Sequence, residues 1–146
     1  MHDAVEITKD EWRELGFYYE FDKDRQKWLI FGSREGLLNF VRILREYSGN
    51  SRNSTLGEHE HYGPYMYLTF ITAESPQITD YGIFGSLFDF ERLADLLTKS
   101  IEEFNSGEVF QIDTEYSNEN EAVLFFEVKD ESYDPSDADD FAWAKK

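Results

Sequence analysis

The alternation of apolar and polar residues along this chain predicts helices and strands in a repeating order. Two segments carry apolar residues at the 3.6-residue spacing of an amphipathic helix. They are Leu37, Phe40, Val41 and Leu44 in the first segment, and Phe90, Leu93, Ala94, Leu97, Ile101 and Phe104 in the second. Short apolar or alternating runs bounded by turn residues predict about six strands. These runs are FYYEF, WLIF, PYMYLTFIT, YGIFGSL, VFQIDTEY and AVLFFEV.

The resulting order, ββα-ββα-ββ, predicts an α+β fold. We expect about six strands in one mostly antiparallel sheet, with the two amphipathic helices covering one face. A capping-box pattern, Thr8 followed by Glu11, predicts an additional short helix near the N-terminus. The tetrapeptide IFGS occurs at 30–33 and again at 83–86, each time where a strand is followed by a helix. It suggests a weak internal repeat, with the serine of each copy as a helix N-cap.

The length of 146 residues is enough for one domain with a sizeable core. We expect residues 1–129 to form a single α+β domain and residues 130–146 to form an acidic C-terminal tail. From Asp113 onward the chain has 11 acidic and 3 basic residues, and acidic terminal segments are typically solvated or bind a partner.

The formal net charge of −17 narrows the classes of partner. Such a charge repels nucleic acid and anionic membranes, and it attracts basic proteins or cations. The sequence has no cysteine, no apolar run long enough to span a membrane, and no secretory pattern in its first residues. We therefore expect a bacterial cytoplasmic protein that binds neither nucleic acid nor membranes. The oligomeric state stays open.

The segment GEHEHYGPYMYL, from Gly57 to Leu68, contains the residues considered for metal binding, catalysis or partner binding. On an extended chain, His59 and His61 point to one side, and the glutamate before each histidine points to the other. Two imidazoles are too few for a protein zinc site, which takes three or four ligands, and nothing in the spacing supplies the rest. The main expectation is no metal, no cofactor and no catalytic residue, with the two histidines holding the loop by hydrogen bonds. The alternative is a metal-binding module or metal-dependent enzyme centred on this pair.

Tyrosines follow the histidines in the same segment. Tyrosine is enriched at protein interfaces because it combines a rigid apolar ring with a polar tip. We expect a partner-binding surface that includes Glu58, Glu60, Tyr62, Tyr65 and Tyr67, with Asp113 and Glu115 as a weaker acidic patch. The competing interpretation is that these tyrosines pack beneath the loop. Met66 and Leu68 are expected to point into the core.

Four segments of the chain together resemble a known family. They are LGFYYEFD, W…GSREGL, EHEHYGPYMYL and ITDYGIFGSLFDFERLADLL, and the match covers roughly Leu15 to Phe104. The chain resembles, in these segments, small bacterial immunity proteins of polymorphic toxin systems, and EHEHYGPY is the most specific of the matching pieces. The resemblance implies a non-enzymatic, cytoplasmic protein that binds a cognate toxin and blocks it.

The charge of the chain is compatible with this expectation. Many toxins of this kind are nucleases with basic clefts, in which carboxylates of an inhibitor can take the place of phosphates. We therefore expect a toxin inhibitor, with a nuclease as the toxin. A third possibility is an interaction domain for another basic partner, such as a ribosomal or nucleic-acid-binding protein.

Overall fold

The computed structural model describes residues 3–140 of the chain, and three α-helices lie within them. The helices are α1 (Ala4–Leu15), α2 (Arg34–Ser48) and α3 (Leu87–Glu103). Eight strands lie in the same described part. They are β1 (Phe17–Asp22), β2 (Lys27–Ser33), β3 (His59–Tyr62), β4 (Leu68–Thr72), β5 (Gln77–Thr79), β6 (Gly82–Gly85), β7 (Val109–Ile112) and β8 (Val123–Lys129). Short 3-10 helices span Ser51–Ser54 and Pro135–Ala138.

The strands form two four-stranded sheets. The first sheet has the order β1-β2-β8-β7, and the second has the order β3-β4-β6-β5. In each sheet the two central strands are parallel, and each outer strand is antiparallel to its neighbour. The α+β class is confirmed, whereas the prediction of one mostly antiparallel sheet of about six strands with two helices is wrong in detail.

Strands β3 and β5 were not predicted, because neither has a clear alternation of apolar and polar residues. Strand β3 has the sequence HEHY, and three of its four residues are exposed. Strand β5 has only three residues, QIT, in a segment that its proline and polar residues marked as a turn. Both are edge strands, since each pairs with one neighbour only. Such strands are defined by the backbone hydrogen bonds that a central strand offers to them, which no local pattern reports.

The strand predicted over residues 64–72 begins only at Leu68, which is fully buried. Met66 has a left-handed backbone with φ of 60°, which ends the extended alternation before the strand starts. Its side chain is 56% exposed, so the expectation that Met66 points into the core is wrong.

Strand pairing supports the internal repeat suggested by IFGS. The chain divides into two ββαββ units, one from β1 to β4 around α2, and one from β5 to β8 around α3. Each unit contributes two strands to each sheet, and the central parallel pairs join one unit to the other. Ile30 of the first copy pairs with Phe126, and Ile83 of the second copy pairs with Phe70. In both pairs, the isoleucine of IFGS lies opposite a phenylalanine of the parallel partner strand.

The N-termini of α2 and α3 are capped as the repeat predicts. The hydroxyl of Ser33 accepts the N–H of Gly36 at 3.1 Å. The hydroxyl of Ser86 accepts the N–H of Asp89 at 3.1 Å, and the Asp89 carboxylate accepts the N–H of Ser86 at 2.9 Å. Helix α3 therefore begins with a full capping box.

The N-terminal helix begins earlier than the capping-box pattern predicts. Its N-cap is Asp3, whose carboxylate accepts the N–H of Glu6 at 2.9 Å. Thr8 lies inside the helix, where its hydroxyl donates to the carbonyl of Ala4 at 2.9 Å. Threonine in a helix interior commonly bonds to the carbonyl four residues earlier, which explains why this residue is no cap.

Aromatic side chains join the helices to both sheets. The ring of Phe40 on α2 lies 5.6 Å from Phe126 of the first sheet and 6.0 Å from Phe70 of the second sheet. Phe70 lies 5.8 Å from Phe90 on α3. All four rings are fully buried, so α2 packs against both sheets and α3 packs against the second sheet, around one core.

Replacing Gly36 by alanine is expected to destabilise the protein by about 2 kcal/mol, although alanine is generally the better helix residue by about 1 kcal/mol. A Cβ atom at Gly36 would overlap the carbonyl oxygen of Gly16, which ends α1. Because both groups are backbone, neither can turn away without moving a helix. Urea unfolding measures the change. Glu35→Ala, at an exposed position in the same helical turn, is the control, and equal stability of Gly36→Ala and wild type would contradict the expected clash.

The described part of the predicted C-terminal tail packs against the domain. Asp134 accepts a hydrogen bond from the Arg13 guanidinium at 3.0 Å. Asp139, which is 4% exposed, accepts one from the indole N–H of Trp12 at 2.8 Å. Residues 130–140 are thereby attached to α1, and residues 141–146 of the predicted tail lie outside the described residues.

Candidate functional site

A groove of about 610 Å³ lies between the first sheet and the outer face of the second sheet. Strand β1 and the beginning of β2 form one wall, and the segment leading into β4 forms the other. Residues 80 and 81, in the turn between β5 and β6, close one side. Together with Trp12 of α1, these make four segments of the chain that build this site.

Two buried tryptophans lie at the bottom of the groove. Trp12 and Trp28 line it, and each is 1% exposed. The indole N–H of Trp12 donates to Asp139, and that of Trp28 donates to the carbonyl of Thr79 at 2.8 Å. Because the hydrogen-bonding capacity of both indoles is used inside the protein, they present apolar ring surface to the groove.

Tyr19 positions the segment that forms the second wall. Its hydroxyl donates to the carbonyl of Tyr62 at 2.7 Å and accepts the N–H of Tyr67 at 3.1 Å. Gly63 has φ of 88°, and a Cβ atom there would overlap the Tyr19 ring. The glycine is required both for the left-handed turn and for the close approach. This turn directs Met66 and Tyr67 outward, where they are 56% and 68% exposed.

Tyr65 anchors the same segment from below. Its hydroxyl donates to Asp139 at 2.6 Å, and its ring lies 6.1 Å from that of Trp12. Burial raises the pKa of Tyr65, and the neighbouring Asp139 raises it further. The side chain is half-buried and bonded, so it serves to hold the loop more than to offer a free contact.

Charged side chains lie at the margin of the groove. Glu20 and Asp80 are exposed acidic residues in its lining, and Lys23 is an exposed basic residue. Burial raises the pKa of Glu20, and the negative charges of Asp22 and Asp140 add to the effect. The carboxylate of Glu20 thus lies in a negative local field.

The histidine pair lies on the outer face of the second sheet, as the alternation predicts. The two rings are 5.1 Å apart, and His61 also lines the groove. Nδ1 of His61 is 3.0 Å from the Thr69 hydroxyl, and Nδ1 of His59 is 3.1 Å from the Gly57 carbonyl. Among residues 3–140, no group of three or more metal-ligating side chains surrounds the pair. His2, the other histidine of the chain, lies outside the described residues.

The structure separates the five residues expected to form the main contact surface. Tyr65 and Tyr67 line the groove. Glu60 pairs with Phe70, whose side chain faces the core, and the Tyr62 ring packs 4.7 Å from the same phenylalanine. These two lie on the side of the sheet that faces the helices, opposite to His61.

Glu58 lies near the end of α2, away from the groove lining. Its carbonyl accepts the hydroxyl of Tyr47 at 2.9 Å and the N–H of Thr72 at 2.8 Å. Burial raises the pKa of Tyr62, with smaller contributions from Glu60, Tyr47 and Glu46. This acidic edge is therefore a second surface, distinct from the groove.

The weaker acidic patch lies in the turn after β7. The Glu115 carboxylate accepts the N–H of Asp113 at 2.9 Å, and this bond, with one to its own N–H, lowers the pKa of Glu115. Arg92 of α3 donates to the Glu115 carbonyl at 2.9 Å. Asp113 and Glu115 are therefore engaged in forming a turn, and neither lines the groove.

Sequence reasoning missed Tyr81, which is 74% exposed at the margin of the groove. It also missed Glu20, the exposed residue that follows three consecutive buried residues on β1. The available signal for Tyr81 is its place in the polar turn TDYG, where a large aromatic side chain has no core to enter. No such signal marks Glu20, because only the fold brings β1 to this site.

No family model, curated protein or solved structure matches the chain. Within the described residues, none of the helices has the length and apolar character needed to traverse a bilayer. Function is therefore inferred from the groove, the surface chemistry and the charge of the chain.

Proposed function

We propose that this chain is an immunity-type inhibitor that binds a cognate bacterial toxin and neutralises it, with a nuclease as the class of toxin. The observation that carries the proposal is an exposed aromatic groove on a chain with a net charge of −17. The resemblance to bacterial immunity proteins supports it, as does the acidic character of both candidate surfaces.

The exposed side chains of the groove favour a protein as the partner. Met66, Tyr67 and Tyr81 are all more than half exposed, and all three line the same groove. Contiguous apolar exposure of this kind typically marks an interaction site. Tyrosines at the centre of an interface commonly contribute 2 kcal/mol or more, roughly, to binding.

The charge favours a basic surface on that partner. A nuclease binds phosphates with a positively charged cleft, and a strongly acidic inhibitor is attracted to such a cleft from a distance. Attraction of this type accelerates association and weakens as the salt concentration rises. Rapid association suits an inhibitor that must reach its toxin before damage accumulates.

Co-purification with the toxin encoded beside this gene tests the proposal. The wild-type chain is expected to bind the toxin and to restore growth of cells that produce it. Tyr67→Ala combined with Tyr81→Ala is expected to weaken the affinity at least about 100-fold, because two rigid aromatic contacts are lost. Failure of the folded wild-type chain to bind the toxin would contradict the proposal.

Two further variants locate the interface. Phe88→Ala is the matched control, because Phe88 is 74% exposed like Tyr81 but lies on α3 outside the groove lining. It is expected to change the affinity less than about threefold, since residues outside an interface contribute little. Glu58→Lys with Glu60→Lys tests the surface on the other side of the second sheet. Retained binding supports the groove as the interface, and lost binding assigns the interface to that second surface.

A further inference from the structure

The groove has the features of a site for a flat, cationic side chain. Its exposed margin offers the rings of Tyr67 and Tyr81, and its floor is formed by Trp12 and Trp28. A guanidinium group stacks on aromatic rings through its planar, weakly hydrated face, and it does so better than an ammonium group. Aromatic walls therefore favour arginine over lysine.

The hydrogen-bonding groups of the floor disfavour an anionic occupant. A phosphate or carboxylate needs donors, and both indole N–H groups already donate to Asp139 and to the Thr79 carbonyl. Lys23 is the basic residue of the lining. Its single charge is opposed by Glu20 and Asp80 in the lining and by Asp22 in the same hairpin.

Within residues 3–140, the acidic residues at the margin of the groove have no positively charged partner. Among the residues that the structure describes, neither Glu20 nor Asp80 forms an ion pair or a side-chain hydrogen bond. Burial raises the pKa of Glu20, and the negative charges of Asp22 and Asp140 raise it further. A cation placed beside Glu20 removes this repulsion, whereas an anion increases it.

We infer that the groove binds an arginine side chain, presented by a basic segment of the partner, with the guanidinium stacked on Tyr67 and Tyr81 and paired with Glu20. The partner's identity as a toxin rests on the proposed function, whereas the arginine chemistry rests on the groove. In a nuclease partner, the captured arginine is one that would otherwise contact phosphate, so its capture blocks substrate binding.

Peptide binding to the full chain tests the inference without the toxin. The probes are Ac-Gly-Arg-Gly-Arg-Gly-NH2 and the same peptide with lysine in place of each arginine, which has equal charge. NMR titration of ¹⁵N-labelled protein is expected to show shifts at residues 20, 67 and 81. The arginine peptide is expected to bind at least about fivefold more tightly, because lysine stacks poorly on the rings.

Variants separate stacking from general attraction to an acidic protein. Tyr81→Ala is expected to reduce the preference for arginine to less than about twofold, because the stacking surface is removed. Glu20→Gln is expected to weaken binding of both peptides. Phe88→Ala and Glu74→Gln, both at exposed positions outside the groove lining, are the controls and should bind like wild type. Circular dichroism checks that each variant is folded.

The outcomes distinguish this inference from the proposed function. Equal affinity for the two peptides, or shifts spread over acidic surfaces outside the groove, would overturn the arginine site. If the toxin binds the wild type and binds Tyr81→Ala and Glu20→Gln equally well, the groove inference fails while the inhibitor function stands. If the arginine peptide binds as expected and the toxin does not, the site stands and the toxin assignment fails.

Discussion

Cooperative unfolding of this protein is expected when the pH is raised from about 10 to about 12, at temperatures where it is stable at neutral pH. Burial raises the pKa of seven of its nine tyrosines, in the case of Tyr133 to about 12. The seven are Tyr18, Tyr19, Tyr47, Tyr62, Tyr65, Tyr116 and Tyr133. The folded state therefore keeps protons that the unfolded state releases.

The direction of the effect follows from proton linkage. Below pH 10 these tyrosines are protonated in both states, and their stabilising contribution is fully present. As the pH rises towards the raised pKa values, the unfolded state binds fewer protons than the folded state, so the free energy of unfolding falls. Tyr18 and Tyr116 are less than 10% exposed, and burial raises the pKa of each so strongly that both are neutral in the folded state at pH 11. Together they lose on the order of 3 kcal/mol there, and the other buried tyrosines add to a loss that is already a large fraction of the stability of a typical domain.

Urea unfolding followed by circular dichroism between pH 8 and pH 12 measures this loss, and tyrosinate absorbance reports when the rings ionise. Tyr116→Phe is the informative variant. It loses the hydrogen bond from the hydroxyl to the Phe84 carbonyl, 2.7 Å long, so it is less stable than wild type at pH 7 by about 1 kcal/mol. Since it also lacks one ionising group, it should lose about 1.4 kcal/mol less by pH 11. Parallel stability curves for the two proteins would contradict this account.

Asp139→Ala is expected to destabilise the protein by about 3 kcal/mol and to loosen the wall of the groove. The carboxylate is buried and accepts hydrogen bonds from the Trp12 indole and the Tyr65 hydroxyl. Alanine leaves the buried indole N–H of Trp12 and the half-buried Tyr65 hydroxyl without this acceptor, and a buried donor left unpaired costs about 1–3 kcal/mol. The stability loss is measured by urea unfolding, and the loosened wall by faster amide hydrogen exchange at residues 65–67.

Two variants control for the Asp139 experiment. Asp137→Ala removes an exposed carboxylate from the short 3-10 helix that Asp139 follows, and it is expected to change stability by less than about 0.5 kcal/mol. Trp12→Phe combined with Asp139→Ala forms a double-mutant cycle, in which a coupling of about 1 kcal/mol or more is expected because one hydrogen bond joins the pair. A coupling near zero would show that the bond between the two side chains contributes nothing to stability.

The site could be predicted from the sequence only in part. Tyr67 was recognisable because it stands beside acidic residues in a segment with no catalytic pattern. Its neighbours Tyr81 and Glu20 were not, because each comes from a different segment that the fold brings to the groove. Glu60 and Tyr62 were grouped with Tyr67 by proximity along the chain, yet they lie on the other side of the sheet. A one-residue difference along a strand reverses the direction of a side chain, so proximity along the chain is a poor guide to a shared surface.

Local interactions explain what the sequence by itself determined. Helices α2 and α3 have apolar stripes and serine caps that depend on residues only a few positions apart. The same is true of the apolar runs of the longer strands. A local sequence pattern therefore predicts all of these features. The net charge and the absence of cysteine are likewise properties of composition.

The tertiary structure alone decided how the strands divide into two sheets and where the groove opens. Strand β2 takes β8 as its parallel partner, which follows it by about 90 residues, and β4 takes β6 from the second unit. Such pairing depends on how well whole faces fit when the helices cover them, and no short stretch of sequence encodes that fit. The left-handed backbone at Met66 and the burial of Asp139 against α1 depend on the same long-range packing.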